Sequence, residues 1–185
     1  EIFTELKKDE LTHSVILNGY WQNELYFNDI KEIIKKELSV KPPKDTNNQN
    51  YAKLINDKIS IAVHVRWFEK GINDPVNTIK LEYYKKAINY CEAHLEKPSY
   101  YLFSDDIASS MKNISFPNDR LIPVDIHSSK EKAYADFWLM TQCKHFIIAN
   151  STFSWWAAWL GEQKHTIILY PGEDFQNSGS WNFIK

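Results

Sequence analysis

Arginine is the side chain best suited to hold a diphosphate, because its planar fork stays charged and offers paired N–H donors. Arg66 stands at the end of an apolar, β-branched run from Ile59 to Val65, in the segment His64-Val65-Arg66. His64 and Arg66 alternate, so on a strand both face the same side. Taken by itself, Arg66 divides evenly between an anion ligand and a surface ion pair. His64, taken by itself, reads first as a structural histidine.

Two further segments carry polar groups just beyond apolar runs. Ser104-Asp105-Asp106 follows Tyr100 to Phe103. Its carboxylates could accept hydrogen bonds from a base or ribose, bind a metal, or cap the short helix that follows. Capping has about half the claim on Ser104 and Asp106, and less on Asp105. Asn150-Ser151-Thr152-Phe153-Ser154 precedes a helical pattern bearing Trp155, Trp156 and Trp159. Hydroxyls and unpaired N–H groups at a helix N-terminus suit an anion, whereas one cap alone needs only one such residue. The tryptophans read as the core face that fixes this helix.

Elements must bring these segments together. Ser14–Leu17 reads as extended, with a turn at Asn18-Gly19. Phe27, Ile30, Ile33, Ile34 and Leu38 recur at helical spacing, which predicts a helix over 24–38. Residues 41–50 (KPPKDTNNQN) read as a loop and linker, because two prolines precede a polar tract. Strands are expected at 59–65, 100–103, 121–124, 146–149 and 166–170, with helices at 80–95, 107–111, 130–143 and 152–160. Five short strands alternating with helices predict an α/β fold: a Rossmann-like, mostly parallel sheet with helices on both faces. Ligands of such sheets sit beyond the carboxyl ends of the strands. The expected division is a lead-in segment at 1–50 and a Rossmann-like binding domain at 51–185.

Composition narrows the classes. Across 185 residues, 22 Lys+Arg face 24 Asp+Glu, so a net charge of −2 gives no reason to expect nucleic acid as a partner. Two cysteines make no disulfide framework, which favours a reducing compartment, and Cys91 and Cys143 read as inert core thiols. No apolar run reaches the roughly 18 residues of a membrane span. The chain begins Glu1-Ile2-Phe3, without Met or a signal pattern, as if within a longer protein. There is no G-x-G-x-x-G after a strand, no P-loop and no clustered Cys/His spacing. The sequence also lacks D-x-D, which weakens the case for a metal-bridged nucleotide sugar. Positive charge for a diphosphate would then come from Arg66 and the helix N-terminus.

In order along nearly the whole chain, these segments resemble the motifs of the α-1,2-fucosyltransferases. They are His64-Val65-Arg66, Tyr101 to Asp106, Asp136 to Met140 with Cys143-Lys144-His145, and Asn150 to Leu160. Leu17 to Gln22 and Leu81-Glu82-Tyr83-Tyr84 are similar to bacterial members. The resemblance implies two facing Rossmann-like halves (the GT-B arrangement), this chain being the carboxyl-terminal donor half. It implies transfer of L-fucose from GDP-fucose to the 2-hydroxyl of a galactose-type acceptor glycan, with inversion, with no cofactor and without an essential metal. Arg66 would hold the diphosphate, His64 and Asp105 the guanosine, and Ser151, Thr152 and Ser154 the phosphate oxygens. Ser104, Asp106 and Asn150 complete the expected donor set. The implied partners are GDP-fucose, an oligosaccharide acceptor and a preceding half that carries a Gly-rich motif and part of the acceptor site. The donor half alone is expected to be inactive. The implied setting is a bacterial polysaccharide pathway in the cytoplasm, with at most peripheral membrane contact.

The chain departs from the family's first motif, His-x-Arg-Arg-x-Asp. Here Trp67 replaces the second arginine and Glu69 the aspartate. Arg66 and Glu69 are therefore the catalytic candidates, Glu69 as a general base whose extra methylene alters its reach. Two alternatives stand beside this reading: a relative that binds GDP-fucose without transferring it, and a transferase for another nucleotide sugar.

Overall fold

Six successive residues with no exposed position, Ser60–Val65 (β1), are what a central strand covered on both faces requires. The computed structural model describes residues 22–67, 81–117, 119–125, 133–172 and 181–184. Among these, β1 lies inside a six-stranded sheet of order β3-β2-β1-β4-β5-β6. The other strands are Ser99–Ser104 (β2), Leu121–Pro123 (β3), His145–Ile147 (β4), Ile168–Pro171 (β5) and Asn182–Ile184 (β6). Every pairing is parallel. The expected parallel α/β sheet is present, with β6 as an additional edge strand.

Alternation sorts the side chains into two cores. Ile61, Val63 and Val65 join Tyr100, Leu102, Ile147 and Leu169 on one face, against Tyr83, Tyr84, Ala87, Ile88 and Cys91 of Leu81–His94 (α3). Ala62, Tyr101, Phe103, Phe146 and Ile168 fill the other face. There they meet Thr46–Asn56 (α2), Ala133–Thr141 (α5) and Thr152–Gly161 (α6). The shorter Lys31–Glu37 (α1) and Ile107–Asn113 (α4) complete the helices that concern the site. Both cysteines are buried free thiols, and burial pushes Cys91 up to about 12. Among the described residues no helix is long and apolar enough to cross a membrane.

Two expectations need correction. Residues 46–50 are helical, forming the start of α2 rather than part of a loop. Asp45 caps them by accepting from the Asn48 backbone N–H at 3.0 Å and from the Asn48 amide at 2.7 Å. Ala52 and Ile55 then bury one stripe of α2. The expected helix over 24–38 is regular only from Lys31 to Glu37, and two 3₁₀ turns, Glu24–Tyr26 and Asn28–Ile30, precede it. Phe27 interrupts them with φ −143°, its ring lying 5.5 Å from Trp156 and 5.2 Å from Trp159. Tertiary packing overrides local periodicity there. The expected strand at 14–17 and turn at 18–19 lie outside the described residues.

Helix α6 ends tightly against its neighbours. A Cβ on Gly161 would sit 2.7 Å from the Phe146 ring tip and 2.9 Å from the Thr141 carbonyl oxygen, closer than real contacts allow. Gly161→Ala should therefore destabilise the domain by about 1–3 kcal/mol through overpacking. Thermal unfolding checks this, and an unchanged Tm would contradict the packing described.

Candidate functional site

The strand order reverses between β1 and β4, the point where open α/β sheets bind ligands. The β1–β4 register runs Ile61↔His145, Ala62↔Phe146 and Val63↔Ile147, then stops. Counting three residues further along each chain reaches Arg66 and Asn150. Neighbouring strands lie only about 4.8 Å apart, so Arg66 and the turn entering α6 flank one crevice. On its other side β1 stays paired with β2 as far as Val65↔Ser104, which brings Asp105 beside Arg66.

The β2 exit sorts its three polar residues by task. Asp105 Oδ2 lies 3.2 Å from Arg66 Nη1, and its Oδ1 accepts the Trp67 backbone N–H at 2.9 Å. Asp106 caps α4, accepting the Ser109 N–H at 2.8 Å and the Ser109 hydroxyl at 2.7 Å. Those bonds hold its carboxyl below the usual range. Ser104 Oγ accepts the Asp106 N–H at 3.1 Å and the Ser110 hydroxyl at 2.9 Å. Ser104 and Asp106 thus build the turn, while Asp105 faces the arginine. Trp67 is buried, and its indole N–H donates to Ser110 Oγ at 2.8 Å. An arginine at this position would have to desolvate its charge in the same place.

His64 is 6% exposed and its ring packs 5.6 Å from Phe153 of α6. Its Nδ1 is buried without a hydrogen-bond partner. Burial lowers its pKa to about 4; Asp105 opposes that shift and Arg66 adds to it. The ring is therefore neutral near pH 7, with one donor and one acceptor nitrogen.

The β4 exit makes a tight turn, Ser151 N–H donating to the Ala149 carbonyl at 2.8 Å. Ser151 is the N-cap of α6 yet makes no side-chain capping bond. Asn150 and Thr152 are exposed and Ser151 is half-buried. Ser154 differs from the expectation of a phosphate-facing hydroxyl. It is fully buried and donates to the Ala149 and Ser151 carbonyls, both at 3.2 Å, so it ties the turn together. Trp155 and Trp159, both buried with parallel rings 6.4 Å apart, hold α6 on the sheet. Glu69 lies outside the described residues.

Two residues escaped the chemical reading of the sequence. Tyr84 donates its hydroxyl to the His64 carbonyl at 3.1 Å, and Tyr83 reaches the Ile148 and Leu169 carbonyls at 2.9 and 2.8 Å. Only their place in the Leu81–Tyr84 resemblance drew attention to them. The crevice thus combines a partly exposed guanidinium oriented by Asp105, two accessible hydroxyls and a helix N-terminus that no side chain caps. Together these groups suit a doubly charged oxyanion.

Comparison with known proteins points the same way. The model of the family described as glycosyl transferase family 11 matches residues 6–180. An Escherichia coli alpha-1,2-colitosyltransferase is 33% identical over 175 residues, which cover 88% of this chain and 57% of that protein. The O-antigen biosynthesis glycosyltransferase WbnK of E. coli is 37% identical over 97 residues, 52% of this chain and 32% of that one. Galactoside 2-alpha-L-fucosyltransferase SEC1 of Bos taurus is 32% identical over 78 residues, 42% of this chain and 21% of its own. This chain therefore spans little more than half the length of the first of these relatives, and less of the others.

The neutral His64 has a consequence for stability. Below pH 6.5 the unfolded chain takes up a proton that the folded histidine refuses until about pH 4. Stability should fall as pH is lowered through that window, by about 3 kcal/mol from this group. Urea unfolding at pH 7 and pH 4.5 should show His64→Phe losing markedly less stability than the wild type. Equal losses would refute the burial assigned to His64.

Proposed function

The chain belongs to glycosyl transferase family 11, and from that premise we propose that it forms the donor-binding part of an α-1,2-fucosyl-type transferase. The reaction proposed moves L-fucose from GDP-fucose to the 2-hydroxyl of a galactose-type glycan, with inversion. The observation that carries this reading is the crevice between β1 and β4, with Arg66 on one lip and the N-terminus of α6 on the other. The names of the relatives support an α-1,2 linkage and a fucosyl-type sugar.

Glycosyl transfer passes through an oxocarbenium-like state while negative charge grows on the departing nucleotide. In the proposed mechanism Arg66 and the first N–H groups of α6 neutralise that charge. Being fixed before the reaction begins, they favour the transition state over the ground state. Ser151 and Thr152 supply hydroxyl donors to phosphate oxygens. His64, neutral and short of one hydrogen bond, and Asp105 are assigned to the guanosine. Glu69 is proposed as the base that takes the acceptor proton. No metal is required in this scheme, a proposal that rests on the two sources of positive charge and on the lack of a D-x-D sequence. A second Rossmann-like half and the acceptor site are proposed for the remainder of a longer protein, whose setting is the cytoplasm.

A second donor has a specific observation in its favour. The relative that matches 88% of this chain is named for colitosyl transfer. The two readings therefore differ only in the sugar.

Calorimetry should detect GDP binding by this chain, lost in Arg66→Ala. In the intact enzyme Arg66→Ala should lower transfer by about 100-fold or more. GDP should outcompete UDP and ADP, and transfer should survive EDTA. Equal GDP affinity for wild type and Arg66→Ala would overturn the site. Donor binding without transfer or donor hydrolysis by the intact protein would make it a binding relative instead.

A further inference from the structure

We propose that Tyr83 and Tyr84 are positioning residues that set the width of the crevice, an inference that rests on the donor-site reading above. The two tyrosines occupy the first turn of α3, on the face of the sheet opposite α6. Both are buried, at 5% and 2% exposure, and their rings brace each other edge to face at 4.9 Å. Their hydroxyls reach different lips. Tyr84 holds the His64 carbonyl, two residues before Arg66, at 3.1 Å. Tyr83 holds the Ile148 carbonyl, three residues before the Ser151 cap, at 2.9 Å, and shares its proton with the Leu169 carbonyl of β5 at 2.8 Å.

The placement follows from the sheet. Register between β1 and β4 ends at Val63 and Ile147. His64 is the first residue of β1 beyond that register, and its carbonyl has no partner from β4. Ile148 donates its N–H to the Leu169 carbonyl at 2.9 Å, so its own carbonyl faces β5, where Pro171 has no N–H to offer. Buried carbonyls so placed need other donors. Two consecutive residues of one rigid helix provide them, so the separation of the lips is set by α3 rather than by strand pairing. Phosphate oxygens must meet Arg66 and the α6 N-terminus together, and that requires one particular separation. Misplacement by about 1 Å can lower a rate by about 100-fold.

Tyr83→Phe and Tyr84→Phe each remove one hydroxyl and preserve ring volume. Tyr100→Phe is the matched control. Its hydroxyl is bonded to Glu92 at 2.6 Å, on the same core face but away from both lips. Well below the Tm, each crevice variant should weaken GDP binding by about fivefold or more, and the intact enzyme should lose about 10-fold or more in donor kcat/KM with acceptor KM unchanged. Tyr100→Phe should lower the Tm and leave both readouts within about twofold, the result expected of a bond that serves packing alone. Should the crevice variants lower only the Tm, the positioning role falls while the donor site stands. If Arg66→Ala also leaves GDP binding intact, the donor site falls first and this inference with it. A variant too unstable to assay leaves the other as a full test, because each hydroxyl holds its own lip.

Discussion

Two neighbouring parallel strands that send their chains to opposite faces of the sheet must part, and everything proposed for this protein depends on that parting. Among the described residues, the helix following β1 is α3 on one face, and the helix following β4 is α6 on the other. Pairing between β1 and β4 ends at Val63 and Ile147, so the edges that face each other just beyond lack ladder partners while still deep in the fold. From below, tyrosine hydroxyls satisfy part of the backbone there. From above, the opening turns a helix N-terminus toward the gap, with the partial positive charge that aligned peptide dipoles place there. The crevice is thus a consequence of topology before any side chain is chosen.

The side chains then decide what the crevice can attract. Arg66 and Asp105 are both partly exposed, and an ion pair of that kind adds little to stability. Its value is orientation, since Asp105 also accepts the Trp67 N–H and so holds the guanidinium relative to the backbone. Pairing brings a cost in charge. Arg66 and Asp105 nearly cancel, and burial keeps His64 neutral, so attraction for an anion falls more heavily on the α6 N-terminus. Trp67 sharpens this, because an indole anchored in the core stands where the resembling motif carries another guanidinium. The proposed site is accordingly one in which dipoles and hydroxyls must work together with a single guanidinium.

The parallel sheet was legible because its signals are local and repetitive. Apolar runs of strand length alternate with helical spacing, and the side chains of β1 divide between the two faces by simple parity. The strand exits followed from that, and with them Arg66, Asp105 and Ser151. What escaped notice depends on contacts between distant segments. The Asp45 cap is the exception, a local signal that the two prolines before it obscured, whereas nothing local predicts that Phe27 will wedge between two tryptophans and spoil a periodic helix. Strand β6 is three residues long and gains its place by pairing with β5 and by packing Ile184 on the core that faces α3. Ser154 looked like its neighbours in type, yet burial turned its hydroxyl to the turn's own carbonyls. Tyr83 and Tyr84 carried no chemical signal of their own, because their hydroxyl partners lie 65 and 20 residues away along the chain.

Preorganisation is what separates a helix N-terminus that merely tolerates an anion from one that stabilises a transition state. Helix α6 is held at both ends. At its start Ser154 and the Ala149–Ser151 turn fix the direction of the first N–H groups. Toward its end Glu24 accepts the Trp159 indole N–H at 3.0 Å, and Lys31 bridges Glu24 at 3.0 Å and Glu162 at 3.8 Å. Phe27 fills the space between Trp156 and Trp159 on the same side. The segment before the sheet is therefore a brace for the far end of the helix whose near end faces the crevice. A helix clamped in this way cannot rotate to follow a ligand, so the ligand must meet N–H groups already in place. That demand makes the separation of the two lips, held from beneath by α3, the quantity on which the site turns.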